Sequence, residues 1–339
     1  MATALGLASM GSVASATAPK TIDACVFDLI GSAGDQYRLM QDYVMQMRDL
    51  GVRINLKPYT DEGVALAEFS AGECDVLAAT HLRTLRFNRF AGTLGAMGAI
   101  PSYRELETVL AVLATEGAAG HLSNDDYEVL GIFPAGAAYL FITDRTMERV
   151  EDLAGKRIAT LEYMPDAIHM VNYVGGSVEP SDVTNFGGKF NNRSVDAAYA
   201  PAFAYEALEL YRGVRDDGGI VRYPLGHLTG QVIARTGVLE PEMAQKAREV
   251  AFGMFHDVME IVLRFEEDIP DHVWVDIPPD DIDEYQEMFR QNRIQLRDGH
   301  DSNGNAVPKV YDGEMLTLLR RIRCRENPSA SECTASDRE

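Results

Sequence analysis

The chain has 339 residues, with 52 acidic against 31 basic side chains, a formal net charge of −21 and 46% hydrophobic residues. So acidic a chain, with no basic block, lacks the positive footprint that nucleic acids and anionic membrane surfaces require. The hydrophobic share is that of a globular protein and the length suffices for two lobes with separate cores, but no run of about 18 apolar residues offers a membrane span.

Residues 2–16, ATALGLASMGSVASA, are small and uncharged. Ala14-Ser15-Ala16 and Ala16-Thr17-Ala18 both fit a small-x-small cleavage site. Residues 1–18 are therefore expected to be a signal-peptide remnant, with a mature start near Thr17 or Pro19. The alternative is a plain tail of small residues.

Thr21–Gly31 predicts a first strand. A turn at Gly31–Asp35 leads to a helix over Gln36–Leu50, with Tyr37, Met40, Tyr43, Val44 and Met47 on one stripe. VRINLKPY is a second strand, Asp61–Ser70 a short helix and CDVLAATHL a third strand. Strands joined by short helical crossovers predict a parallel sheet. In such sheets ligands lie beyond the carboxyl ends of the strands. That rule selects Gly31–Gln36, Tyr59–Glu62 and Thr80–Arg83. A helix over Ser102–Ala114 follows, with Ser102 as cap and Glu105 three residues on.

Val129–Tyr163 holds the runs VLGIF and AAYLFIT, separated by Pro134-Ala135-Gly136, then a polar segment and the run RIATLEY. Short apolar runs bounded by Pro and Gly read as buried strands. The stretch is the expected passage from one α/β lobe to another. Beyond it come a helix over Asp166–Val174, a strand and turn in SVEPSDV, a loop in NFGGKFNNRS, a strand in VDAAYAPAF and a helix over Ala204–Tyr211. GGIVRYPLGHLTGQVIART is expected to return to the first lobe. From Glu240 to Asp268 the apolar spacing is helical, and a further helix is expected over Ile277–Asn292. Arg297–Pro308 resembles a calcium loop only in composition: an EF-hand with Gly304 sixth would need an acid at Gly299 and a Glu at Val310. It reads as a polar turn. Cys324 and Cys333 are expected to close a small disulfide loop, as suits an oxidising compartment.

Glu151-Asp152-Leu153-Ala154-Gly155-Lys156, followed by a strand, resembles the crossover of extracytoplasmic solute-binding proteins with the type II periplasmic fold, of the kind that serve TRAP transporters. The likeness runs over about residues 20–265 and is strongest to AdeT-type solute-binding proteins. It implies an α/β fold of two lobes, each a mainly parallel sheet flanked by helices, joined by crossover strands. Residues 19–135 and 236–339 would form lobe I and 136–235 lobe II. Pro134–Ala138 and Gly230–Arg235 would be the hinges. It also makes the strands of Cys25 and Cys74 neighbours, which leaves either a bridge or two buried thiols. The implied function is capture of a small solute by hinged closure and delivery to membrane permease subunits in the periplasm.

No GxGxxG after a strand, Walker loop, GxSxG elbow or HExxH occurs. Paired acids such as Asp125-Asp126 and Asp216-Asp217 read as capping or solvated residues. No metal or cofactor is expected. An exported enzyme on the same fold would need a convergent nucleophile–base or metal set. An efflux-pump adaptor would need coiled-coil heptads. Neither pattern is visible.

TRAP-type proteins grip a substrate carboxylate with an Arg in a GxKxR pattern. Aligned on Gly155 and Lys156, that position here is Ala159. The expected cleft instead offers Tyr163, Met164, Tyr199 and Phe203, with Gln36, Thr80, His81, Glu162 and His227 as polar partners. Arg83 and Arg86 are the cations that could still reach it from the third strand. The expected solute is partly apolar, or at least has no dominant carboxylate.

Overall fold

The computed structural model describes residues 21–339 apart from 148, 279 and 280. Residues 1–18, expected to be a signal-peptide remnant, lie outside the described residues. The nine strands are β1 (Thr21–Phe27), β2 (Arg53–Tyr59), β3 (Val76–Thr80), β4 (Tyr127–Ile142), β5 (Arg157–Leu161), β6 (Ser177–Ser181), β7 (Ala197–Pro201), β8 (Gly219–Arg235) and β9 (Trp274–Val275). They form one sheet in the order β2-β1-β3-β8-β4-β7-β5-β6, with β9 beside β8. β1 pairs in parallel with β2 and β3, and β5 pairs in parallel with β6 and β7. These parallel ends are the two lobes. Between them run β4 and β8, antiparallel to one another.

β4 and β8 are the passage expected from the sequence, but β4 is one strand of 16 residues, not two runs with a gap. Its register to β8 shifts between Pro134 and Ala137. Gly136 there has φ 98°, a left-handed backbone that glycine adopts at little cost. Val129–Phe133 pair with the second half of β8, which also carries β3. Ala138–Ile142 pair with its first half and with β7. One core packs around β1–β3, drawing on Ile22 to Phe133, Val232 to Val262 and Leu296 to Ile322. Two further cores surround β5, β7 and the first half of β8. Tyr285 and Phe289 pack into the latter, so the helix Ile282–Asp298 spans both halves.

The first helix, Asp35–Asp49, buries Tyr37, Met40, Tyr43 and Met47, the stripe its 3.6-residue period predicts. The helix Glu62–Ala71 opens where the Asp61 carboxylate accepts the Val64 N–H at 3.1 Å and closes on Gly72 at φ 89°.

Four expectations are corrected. NFGGKFNNRS contains a helix, Phe186–Asn191, because Phe186 and Phe190 bury on one face and Gly213 leaves room for the Phe190 ring. Ala204–Tyr211 is two single turns, Ala204–Ala207 and Tyr211–Val214, split where Glu209 takes φ 52°. The long helical segment breaks at Met254 into Pro241–Gly253 and Phe255–Glu267. The next helix starts at Ile282 and ends at Asp298, capped by Gly299 at φ 84°. In the polar turn beyond it, Asp301 is occupied by its own loop, accepting from Asn303 and Asn305.

Both cysteine pairs are bridged. Cys25 on β1 joins Cys74 just before β3, and Cys324 joins Cys333.

Candidate functional site

The carboxyl ends of β1 and β3 face those of β5 and β7 across β8. They enclose a cavity of about 120 Å³. Phe27 and Leu29 follow β1, and Thr80 and His81 close β3. Ala159 and Leu161 come from β5, Tyr199 and Pro201 from β7, and His227 from β8. A groove of about 400 Å³ adjoins it on the side of the crossover bend. Phe27, Leu29, Thr80 and Phe203 belong to both spaces. The groove's other wall is the bend Phe133–Gly136 and the helix Phe255–Glu267, through Val258, Val262 and Phe265.

Of the residues selected from the sequence, Thr80, His81, Met164, Tyr199, Phe203 and His227 line the cavity, and Gln36 lines the groove. Arg83, Glu162 and Tyr163 line neither space. Glu162 is exposed, beyond the end of β5. Arg83 and Tyr163 meet each other: the guanidinium carbon lies 3.4 Å from the ring centroid. This stacking holds the Arg83 guanidinium on Tyr163, outside the cavity lining.

Glu62 is the side chain that sequence reasoning passed over. It lies within the selected segment Tyr59–Glu62, but nothing in a single sequence shows that it turns inward. It is fully buried, and its Oε1 accepts the Thr80 N–H at 2.6 Å. Oε2 has no hydrogen-bond partner, and Arg83 Nε stands 3.9 Å away. The Thr80 hydroxyl is near enough to favour the ionised carboxylate but is not aligned for a hydrogen bond. Burial outweighs these neighbours and pushes the Glu62 carboxyl up to about 7. Asp166, also on the cavity wall, accepts from the Tyr311 hydroxyl at 2.9 Å, and burial raises its pKa as well.

The two histidines are neutral at pH 7, because burial lowers each to about 4. His81 Nδ1 accepts the Thr229 N–H at 3.2 Å, which places its proton on Nε2. That edge abuts Gly95, where a Cβ would lie 1.8 Å from Nε2. The His227 ring packs edge-on against Tyr103, centroids 4.8 Å apart. Tyr103 and Tyr139 both donate to Glu266 at the rim of the groove. Among the described residues no Lys or Arg lines either space. Among the described residues no group of three His, Cys, Asp or Glu could hold a metal ion.

The space can enclose a small molecule against apolar walls and a few polar side chains. It presents no nucleophile paired with a base: the histidines contact a backbone N–H and an aromatic ring instead.

Comparison with known proteins agrees with this geometry. The family described as Solute-binding protein AdeT 1/2 matches residues 48–338. The chain is 35% identical to an Acinetobacter baumannii protein named "Probable solute-binding protein AdeT1", over 92% of this chain and all of that one. Two crystal structures of TRAP periplasmic solute-binding proteins share the fold. One, from Desulfovibrio salexigens with bound orotic acid, has a TM-score of 0.71 at 10% identity, covering 90% of this chain and 99% of that one. The other, from Shewanella oneidensis with bound succinate, has a TM-score of 0.68 at 12% identity, with the same coverage.

Proposed function

The chain belongs to the AdeT 1/2 family of solute-binding proteins, and from that premise we propose that it takes up a partly apolar solute, not held by a carboxylate, in the cavity between β1/β3 and β5/β7. The observation that carries this reading is the absence of any Lys or Arg from the lining of the cavity and the groove. A buried carboxylate without a partner cation costs several kcal/mol, on the order of the penalty for any unpaired buried charge. Ala159 supplies only a methyl group at the point on β5 where a TRAP-type grip would need a guanidinium. Arg83, another candidate, is covered by Tyr163 and backed by Glu62.

The solute enters from the periplasm while the lobes are apart and is enclosed as they rotate together. Residues 19–135 with 236–339 form one lobe and 136–235 the other; separate cores on the two sides of the bend support the division, although Ile269–Ile277, Tyr285 and Phe289 pack with the second lobe. The bend at Phe133–Gly136 and the facing Gly230 absorb the rotation. The closed complex is delivered to membrane permease subunits, and no bond is made or broken.

A thermal-shift titration tests the ligand class. Succinate and malonate are expected to leave the melting temperature unchanged. A shift of several degrees with either, abolished by Arg83→Ala but kept in Tyr163→Ala, contradicts this reading.

A further inference from the structure

The charge of the solute can be read from the same walls. Asp28, Asp35, Glu206 and Glu266 line the groove, and Glu62 and Asp166 line the cavity, with no basic side chain among them. Four of these six carboxylates are occupied, and Glu206 is exposed to solvent. Asp28 accepts the Ile30 and Tyr37 N–H groups, Asp35 pairs with Arg38, Glu266 accepts two tyrosine hydroxyls and Asp166 one. Glu62 differs. It is fully buried, one oxygen is held by Thr80, and the other has no hydrogen bond and only a long ion pair, 3.9 Å, to Arg83 Nε. A buried carboxylate oxygen that lacks a hydrogen bond beside an apolar wall is suited to a donor carrying positive charge, since such charge-assisted hydrogen bonds are about twice as strong as neutral ones.

Resting on the reading of an apolar, carboxylate-free solute, we propose that the solute is an organic cation, a protonated amine on an apolar body, with Glu62 as its counterion. Arg83, stacked on Tyr163 and 3.9 Å from Glu62 Oε2, does not line the cavity, and Asp61 is the neighbouring acid. Thr80, shared by cavity and groove, holds Glu62 Oε1 in place and leaves Oε2 to the ammonium group. His81, the other titratable group at the end of β3, is neutral and adds no competing charge. An ammonium group brought to Glu62 favours its ionised form. Below pH 7 the carboxyl therefore gives up a proton to solvent as the amine binds.

Isothermal titration with three probes of matched shape tests this: 2-phenylethylamine, 2-phenylethanol and 3-phenylpropanoate. At pH 7 the amine is expected to bind at least ~10-fold more tightly than the alcohol, and the carboxylate not at all. Glu62→Gln, which keeps an acceptor for the Thr80 N–H, should erase the amine's advantage over the alcohol. A second measurement needs no variant: at pH 6.5, amine titrations in buffers of different ionisation enthalpy should show a proton released on binding. If amine and alcohol bind equally, or Glu62→Gln keeps the amine's advantage, or no proton is released, the cation assignment is wrong and the apolar reading stands. If the carboxylate binds most tightly, both fail. If none binds at millimolar concentration, the cation assignment is overturned for this probe shape and the cavity as the solute site with it.

Discussion

The Arg83 guanidinium carbon lies 3.4 Å from the centroid of the Tyr163 ring, and its Nε is 3.9 Å from the buried Glu62 carboxylate. Arg83 follows β3 and Tyr163 follows β5, so the stack bridges the two parallel ends of the sheet beside the cavity. A desolvated cation–π pair contributes about 2 kcal/mol. Arg83→Ala and Tyr163→Ala should each weaken binding of an apolar solute by roughly 5–30-fold. A double-mutant cycle should give a coupling of about 1 kcal/mol or more. Additive losses would show that the stack does not help hold the halves together.

Glu62 should make the wild type lose stability, relative to Glu62→Gln, as pH rises. Its pKa is raised from 4.5 to about 7. The folded protein keeps this proton over that interval, while the unfolded chain releases it. The resulting stability is complete below about 4.5 and is lost as pH rises through 7. His81 and His227, lowered from 6.5 to about 4, act in the opposite sense: their contribution is present above 6.5 and is lost as pH falls through 4. Both are common to the wild type and the variant, so the difference isolates Glu62. Urea midpoints at pH 5 and pH 8 should show the variant gaining on the wild type at the higher pH. A constant difference would mean Glu62 titrates normally in the fold.

The disulfides should contribute unequally. Loop-closure entropy gives about 4 kcal/mol for Cys25–Cys74, separated by 49 positions, and between about 2 and 3 kcal/mol for Cys324–Cys333, separated by 9. Paired Cys→Ser replacement should lower stability in that order. Thiol counting on denatured, unreduced protein should find no reactive thiol. Four thiols would exclude both bridges.

Gly95→Ala should displace His81, because the new methyl group would lie 1.8 Å from Nε2. Overpacking of this kind costs between about 1 and 3 kcal/mol. Solute affinity should fall with it, since His81 is cavity wall. Unchanged stability and binding would mean that the ring has room to swing away.

Much of the fold was legible because it rests on periodicity and punctuation. The stripe Tyr37–Met47, the cap at Ser102 and the apolar texture of Val129–Tyr163 all report local physics. The helix Phe186–Asn191 was not legible, since its Gly-Gly and Asn residues favour turns. It forms because tertiary packing buries Phe186 and Phe190. At the site, the strand-end rule located Thr80, His81 and the segment ending at Glu62. It could not show that Glu62 turns inward or that Arg83 is stacked on Tyr163. Both depend on how β3 and β5 face one another, which is set by the crossover pairing of β4 with β8 and not by nearby sequence.

Native mass spectrometry of the protein purified without denaturation tests the central claim most directly. Gentle collisional activation should release a small, nitrogen-containing passenger without a carboxylic acid, at one per chain. Its occupancy should fall when the cavity is filled by Ala159→Phe. A released mono- or dicarboxylate, or an occupancy that Ala159→Phe leaves unchanged, would contradict the account.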